Sequence, residues 1–556
     1  MSEVVKLFLN KGFLISPDFV GIENFKNEVF IERLDEFNKK EGPIVLNKDL
    51  FKVFSNGGIS SELNWLEFER SKALHEKGKK NKIYDTFLEI LNYSSDPKMQ
   101  EKVSLVLEEV KKEEEKVIIE KQQENGNNVI ILKSFKDDAK KRGVADFTNH
   151  FRVRYEGLRN LLMNRAELQN LTSISRIKGK EGREQVSLIG MVFDKRETKN
   201  GNILLVIEDL SGSINVLVNK DKSLFRAAKD ICFDEVIGIS GTVGDNILFA
   251  NSLVFPDVPL TNPLKKSKDD VYAAVISDTQ IGSKNFLHEE FLKFIKWING
   301  EVGSDDQKEI AGKIKYLFVP GDVVDGVGVY PGQETQLDII DVRDQYKKLA
   351  ELLLMIRNDV KIILCPGQHD AVRVAEPQPI IGETYGGALY NLDNLYLVTN
   401  PSLIEVGTDV KFKVLMYHGA SMHGIINSID NLRMNRAHDY PTQIVKYMLK
   451  KRHLAPTHSL VTYTPLENED ALLIKEIPDI VATGDLHRPE ISDYNGILLF
   501  SGSCWQSITP FEEKVGNNPD PCKVPILNLQ TREVKMLDFS DVNELDNKEN
   551  ELGGEI

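Results

Sequence analysis

The chain is poor in cysteine: its four, Cys232, Cys365, Cys504 and Cys522, are scattered through 556 residues without any CxxC spacing. Neither a disulfide framework nor a zinc ribbon is written into it. It also lacks any apolar run near the ~20 residues that a membrane-spanning helix needs, so no membrane is expected among its partners. The opening MSEVVKLFLNKGF has none of the basic, apolar and small-residue segments of a secretory signal, and a cytoplasmic location is expected. Positive charge is in deficit as well, with 70 Lys and Arg against 85 Asp and Glu and a formal net charge of −15. A protein that coats nucleic acid by bulk electrostatics is thereby excluded, because neutralising phosphates takes clustered cations. The short basic stretches RIKGKEGR, PLKKSK and LKKRH are read as solvated surface on this acidic background. No internal repeat is evident.

What is present is the composition of a globular chain, 41% hydrophobic and 28% charged. Its length exceeds one ordinary core, which implies three or four folding units. Residues 1–95 show helix-period apolar positions, as in NKIYDTFLEILNY, and read as a small helical domain closed by Ser94, Ser95 and Pro97. Residues 96–145, with EEVKKEEEKVIIEKQQENGNN, have too few core-forming side chains to pack alone and read as a charged linker. Over 146–265 a preceding helix leads into period-two alternation between Gln185 and Phe255, with turn chemistry at Asn200-Gly201, Asp209 to Gly212 and Asp245-Asn246. That pattern predicts an OB-type β-barrel. Such barrels often bind single strands, but this one has few aromatic residues for stacking, and a spacer that docks a partner is the alternative. Residues 266–540 alternate apolar strands with amphipathic helices, an α/β layered domain, and 541–556 read as a mobile acidic tail. The fold class is multidomain, α+β and α/β.

Within 266–540, five polar clusters follow five apolar strands: SDTQIGS, PGDVVDG, PGQHDAV, YHGAS and TGDLHRP. Binding sites in α/β sheets form beyond the carboxyl ends of strands. A lone Asp there is commonly a helix cap or turn former, but turns require neither His369-Asp370 nor His418 nor His487. Carboxylates and imidazoles converging from separate strands are what a two-metal centre needs to activate water against a phosphodiester. Neighbouring glycines let the backbone turn sharply and a phosphate approach.

In this order DTQ, GDVVD, GQHD, YHG and GDLH resemble the motifs of the calcineurin-like, or Mre11-like, metallophosphoesterases. The segments GDVVDGVGVYPGQ, AEPQP, RHLAPTH and GSCWQSITPF, with a barrel upstream, carry the likeness further. From about residue 150 to 535 the chain is similar to the small subunits of the archaeal family D DNA polymerases. The resemblance implies a four-layer α/β/β/α phosphoesterase domain and a heterodimer with a large catalytic polymerase subunit. It further implies a 3′→5′ proofreading exonuclease for single-stranded 3′ ends of DNA, with two divalent cations, Mn or Mg, as cofactors, and a nucleoid-associated place in the cytoplasm. A sliding clamp or primase would be a further partner. Carried over by position, one cation falls to Asp278, Gln280, Asp322 and His487, the other to Asp322, Gln368, His418 and Asp485. His369 would serve the leaving oxygen, with Asp370 orienting its ring.

Three positions depart from the motif: Gln280 replaces His, Gln368 replaces Asn and Asp485 replaces His. They shift the donor set from nitrogen toward oxygen. A nuclease with altered metal preference and a structural subunit with a fossil site both remain open, with a stand-alone metallophosphatase as a third reading. Tyr330 and Trp505 are candidate anchors for the large polymerase subunit, and a cleft or core role for each is the alternative.

Overall fold

The structure, a computed structural model, describes residues 129–135, 140–178, 183–260, 262–515 and 517–540. Two short strands, Leu14–Ile15 and Val45–Leu46, are described besides, and they pair in parallel within a separate unit, Met1–Asn127. The helical domain expected over 1–95, most of the linker and the acidic tail lie outside the described residues. No helix among the described residues is long and apolar enough to cross a membrane.

The linker expected over 96–145 contributes a strand instead: β1 (Val129–Lys133) runs antiparallel along Ser402–Val406. Helix α1 (Val144–Leu162) follows, its Asp146 accepting a hydrogen bond from the Gly143 N–H at 2.8 Å. The alternating segment then closes into a five-stranded barrel of β2 (Gln185–Glu197), β3 (Ile203–Asp209), β4 (Gly212–Val218), β5 (Val236–Val243) and β6 (Ile247–Val254). Around the barrel the order is β2-β3-β4-β6-β5, with only β4 and β6 parallel. Inward positions such as Leu188, Leu205, Val216, Ile239 and Leu248 are fully buried, as period-two alternation requires. The turn expected after Asp209 is there: Asp209 pairs with Gly212, and its carboxylate accepts the Ser211 N–H at 2.7 Å.

The remaining strands form two six-stranded sheets. The first contains β7 (Tyr272–Val275), β8 (Ile314–Pro320), β9 (Lys361–Cys365) and β10 (Leu395–Leu397), all parallel, then β16 (Lys523–Asn528) and β17 (Val534–Asp538), in the order β10-β9-β8-β7-β16-β17. The second is β14-β15-β13-β12-β11-β1, from β11 (Ser402–Val406), β12 (Phe412–Met416), β13 (Ile480–Thr483), β14 (Glu490–Tyr494), β15 (Ile497–Ser501) and β1. Ala273, Val275, Phe318 and Ile363 of the first sheet share one core with Val414, Met416, Ala482 and Phe500 of the second. The sheets therefore pack face to face. Helices α2 (His288–Ile298) and α3 (Val342–Leu354) cover the outer face of the first sheet through Phe291, Phe294, Leu349 and Leu353. Helices α4 (Met422–Ser428) and α5 (Thr442–Lys451) cover the second through Ile425, Ile426, Ile444 and Met448. Strands buried on both faces read as unbroken apolar runs, which is why YLFVP and KIILC show no alternation.

Trp505, considered as a partner anchor, belongs to this core. It is fully buried, edge-on to Phe291 with ring centroids 4.8 Å apart, so no partner reaches it. The barrel is tied to the layered domain by buried Glu235, which meets the Lys451 ammonium at 2.5 Å and accepts the Tyr447 hydroxyl at 2.6 Å.

Candidate metal centre

Every residue of the five clusters sits two to five positions beyond a strand's carboxyl end: Asp278 and Gln280 after β7, Asp322 after β8, Gln368 to Asp370 after β9, His418 after β12, Asp485 and His487 after β13. Three of these strands belong to the first sheet and two to the second, so the clusters meet at the rim where the sheets abut. The turns that deliver them are strained. Asp278, Gln280, Asp322, Asp485 and His487 all have left-handed backbones, with φ of 50°, 49°, 49°, 71° and 55°. Each costs roughly 1 kcal/mol for a non-glycine residue, and such strain concentrates where function demands it. Two glycines let the loops close. Gly321 has φ of 87°, and a Cβ on it would lie 2.5 Å from His418 Nδ1. A Cβ on Gly367 would run into the Asp322 carboxylate.

Carboxylate and imidazole atoms of Asp278, Asp322 and His418 all lie within 4.8 Å of one another. The His418 Nδ1–H donates to the Pro320 carbonyl at 2.9 Å, which turns Nε2 inward, 3.3 Å from Asp322 Oδ2 and 3.7 Å from Asp485 Oδ1. His487 Nε2 stands 3.5 Å from Asp278 Oδ1. The substituted amides are drawn in too: Gln280 Nε2 donates to Asp322 Oδ2 at 3.4 Å, and Gln368 Nε2 donates to Asp485 Oδ1 at 2.7 Å. All seven positions carried over as ligands are therefore joined by these contacts into one cluster.

Burial by itself opposes charge on the His418 imidazole, but Asp322, Asp278 and Asp485 outweigh it and hold its pKa well above the ordinary value. Burial would likewise raise Asp322, yet His418 and His369 drive its carboxyl below the usual range. Three buried atoms in the cluster have no hydrogen-bond partner: Gln280 Oε1, His418 Nε2 and Asp485 Oδ2. An unsatisfied buried polar atom costs about 1–3 kcal/mol, and a divalent cation satisfies several lone pairs at once. The donors fit such an ion, with three carboxylates and two amides suiting Mg²⁺ or Mn²⁺ and two imidazoles tilting the set toward Mn²⁺.

His369 stands at the mouth. Its Nδ1 is fixed 2.8 Å from the Asp325 carbonyl, and its Nε2 lies 4.0 Å from Asp322 Oδ2. Burial lowers its pKa, but Asp322 and Asp325 carry it up to about 9. Asp370 does not orient that ring. Its carboxylate accepts the Gly367 N–H at 2.8 Å and the Tyr346 hydroxyl at 2.9 Å, and burial pushes it up to about 7. With its oxygens taken by these donors, Asp370 instead braces the loop that carries Gln368 and His369. Tyr330 overhangs the mouth, its ring 6.5 Å from that of His369, a position on the cleft.

Sequence reading misses Glu512. Its Oε1 lies 2.7 Å from His487 Nδ1, fixing the ring so that Nε2 faces Asp278, while its Oε2 accepts the Thr509 N–H at 2.9 Å. A signal exists in T-P-F-E, the spacing of a capping box. The Asp325 carbonyl, a backbone group, has no such signal.

Residues 273–492 match the family described as the B subunits of DNA polymerases alpha and epsilon, and residues 186–248 match the OB-fold nucleic acid binding domain. The chain is 39% identical over 398 residues to the DNA polymerase II small subunit of Methanothermobacter thermautotrophicus, covering 71% of this chain and 80% of that one. Against the protein of the same name from Archaeoglobus fulgidus the identity is 37%, with coverage of 71% and 78%. The Pyrococcus furiosus protein is longer, and the 38% identity to it spans 71% of this chain but 64% of that one. Identity at this level, over 71% of this chain and 80% of the Methanothermobacter protein, means that the chain belongs to the family of archaeal DNA polymerase II small subunits.

Proposed function

We propose that the chain pairs with a large catalytic polymerase subunit and that its layered domain is a calcineurin-like metallophosphoesterase acting as a 3′→5′ exonuclease on single-stranded DNA ends. The observation that carries this reading is the set of buried polar atoms without partners on Gln280, His418 and Asp485, on side chains that adjoin the cluster of Asp278, Asp322 and His418. Asp278, Gln280, Asp322 and His487 would hold one cation, and Asp322, Gln368, His418 and Asp485 the other. Bound there, divalent cations supply Lewis acidity and lower the pKa of water. Glu512 and the Pro320 carbonyl keep His487 and His418 in the tautomer that presents Nε2. His369, protonated and pinned by Asp325, donates its Nε2 proton to the 3′ oxygen that departs as the phosphodiester bond breaks.

A second reading has its own support: the Gln280 and Gln368 amides turn N–H groups toward Asp322 and Asp485, occupying lone pairs that cations would take. A structural subunit with a silenced site would look so. The two separate on 3′-labelled single-stranded DNA with Mn²⁺, given to the chain alone and with its large subunit. The nuclease reading expects end-labelled mononucleotide release that falls about 100-fold in Asp322→Ala, the upper end of what losing a group of a metal site costs. No cleavage in either setting, with no Mn²⁺ uptake by calorimetry, establishes the structural reading.

A further inference from the structure

The histidine that the motif would place at 485 is an aspartate here, which removes one imidazole from the side of the cavity lined by Asp322 and His418. The fold returns an imidazole to that side from a position outside the motif. Helix α4 begins just beyond His418 and carries His423 on its first turn. The His423 side chain is half exposed, and its Nε2 lies 3.9 Å from Asp485 Oδ2.

That oxygen is the one without a hydrogen-bond partner, on a side chain only 8% exposed. A separation of 3.9 Å is too long for a hydrogen bond. It is short enough for a shared ion, because two ligands each about 2.1 Å from one cation stand at most about 4.2 Å apart. The same limit admits His418 Nε2, 3.7 Å from the other oxygen of Asp485. Asp485 therefore presents one oxygen to the inner imidazole and the other to His423 at the solvent side. His438 packs against His423, ring centroids 5.2 Å apart, and so limits the swing of a side chain that would otherwise be free on the surface.

We propose that His423 is a cation ligand of this site, acting with Asp485 in place of the imidazole missing at 485 and giving the outer position its preference for Mn²⁺ or Co²⁺ over Mg²⁺. The preference follows because a nitrogen donor favours the later transition ions, whereas a carboxylate and amide set alone suits Mg²⁺. The inference rests on the reading that this cavity binds cations at all, and it deepens that reading by assigning a ligand that the motif does not contain.

The test is binding rather than turnover. Metal-free full-length chain is titrated with Co²⁺ by calorimetry and by visible absorption, for the wild type, His423→Ala and Asp322→Asn, and again with Mg²⁺. The expected result is Co²⁺ binding by the wild type and a loss of at least about tenfold in affinity in His423→Ala, at the scale seen when groups of a metal site are removed. The cobalt bands should shift, Mg²⁺ affinity should hold, and added imidazole should restore the Co²⁺ affinity of His423→Ala, which only a folded protein with a vacated nitrogen position would show. Equal Co²⁺ affinity and identical spectra in wild type and His423→Ala, with binding lost in Asp322→Asn, overturn the role of His423 and leave the cation site standing. No Co²⁺ binding by the wild type overturns both.

Discussion

Gln280 concentrates the chemistry of the site into one side chain. Its backbone, with φ of 49°, is held where the motif would present an imidazole, yet the group delivered is an amide whose N–H reaches Asp322 and whose oxygen has no partner. An amide oxygen is a poorer donor to a transition ion than an imidazole nitrogen. Gln280→His is therefore expected to tighten Mn²⁺ binding by about tenfold, read by calorimetry on the metal-free chain. An unchanged affinity would mean that position 280 does not face the ion. The residue types at the strand ends were legible because each breaks the composition of the strand before it. What Asp370 does was not legible, because the neighbouring His369-Asp370 pair reads as a dyad along the chain while the loop sends the two side chains apart.

Among the elements, α1 shows how a helix outside the layered domain is secured to it. Arg154, fully buried, donates to Asp470 at 2.7 Å and to the Pro456 carbonyl at 2.8 Å. His453 completes the cluster: its Nε2–H meets Asp470 at 2.8 Å, and its Nδ1 accepts the Ala455 N–H at 3.0 Å. An imidazole that accepts a backbone N–H is neutral. Burial, with Arg154 beside it, lowers its pKa to about 4 against an ordinary 6.5, and Asp470 is held well below the usual carboxylate range although burial alone would raise it. A folded pKa below the unfolded one means that the unfolded chain binds the proton more readily. The stabilisation is therefore complete above about pH 6.5, is lost as pH falls toward 4, and is followed by the loss from Asp470 at still lower pH. The urea midpoint of the chain should fall through that window, by up to a few kcal/mol in stability, and His453→Gln should flatten the slope. A midpoint constant from pH 6.5 to 4 would contradict this account. Neither this cluster nor β1 could be read in advance, because VIILK is five residues in a charged stretch and its partner strand lies some 270 residues away, Leu403 against Lys133.

At the scale of the molecule, the barrel and the alternation of strands and helices were legible because each rests on a local period of apolar residues. The assignment of strands to two sheets was not, since the order β10-β9-β8-β7-β16-β17 brings the last strands of the chain beside the first strand of the domain. That arrangement makes the cluster, because at the rim where the sheets meet Asp278 and Asp322 from one sheet come within 4.8 Å of His418 from the other. The buried contact of Glu235 with Lys451 and Tyr447 fixes the barrel to the layered domain. The claim on which the account stands is that side chains distant in sequence enclose a cation position at this rim. Crystals of the chain soaked in Mn²⁺ and measured at a wavelength where manganese scatters anomalously test it most directly. Anomalous density is expected among Asp278, Asp322 and His418, and density confined to other parts of the molecule, with none in that cavity, would contradict the account.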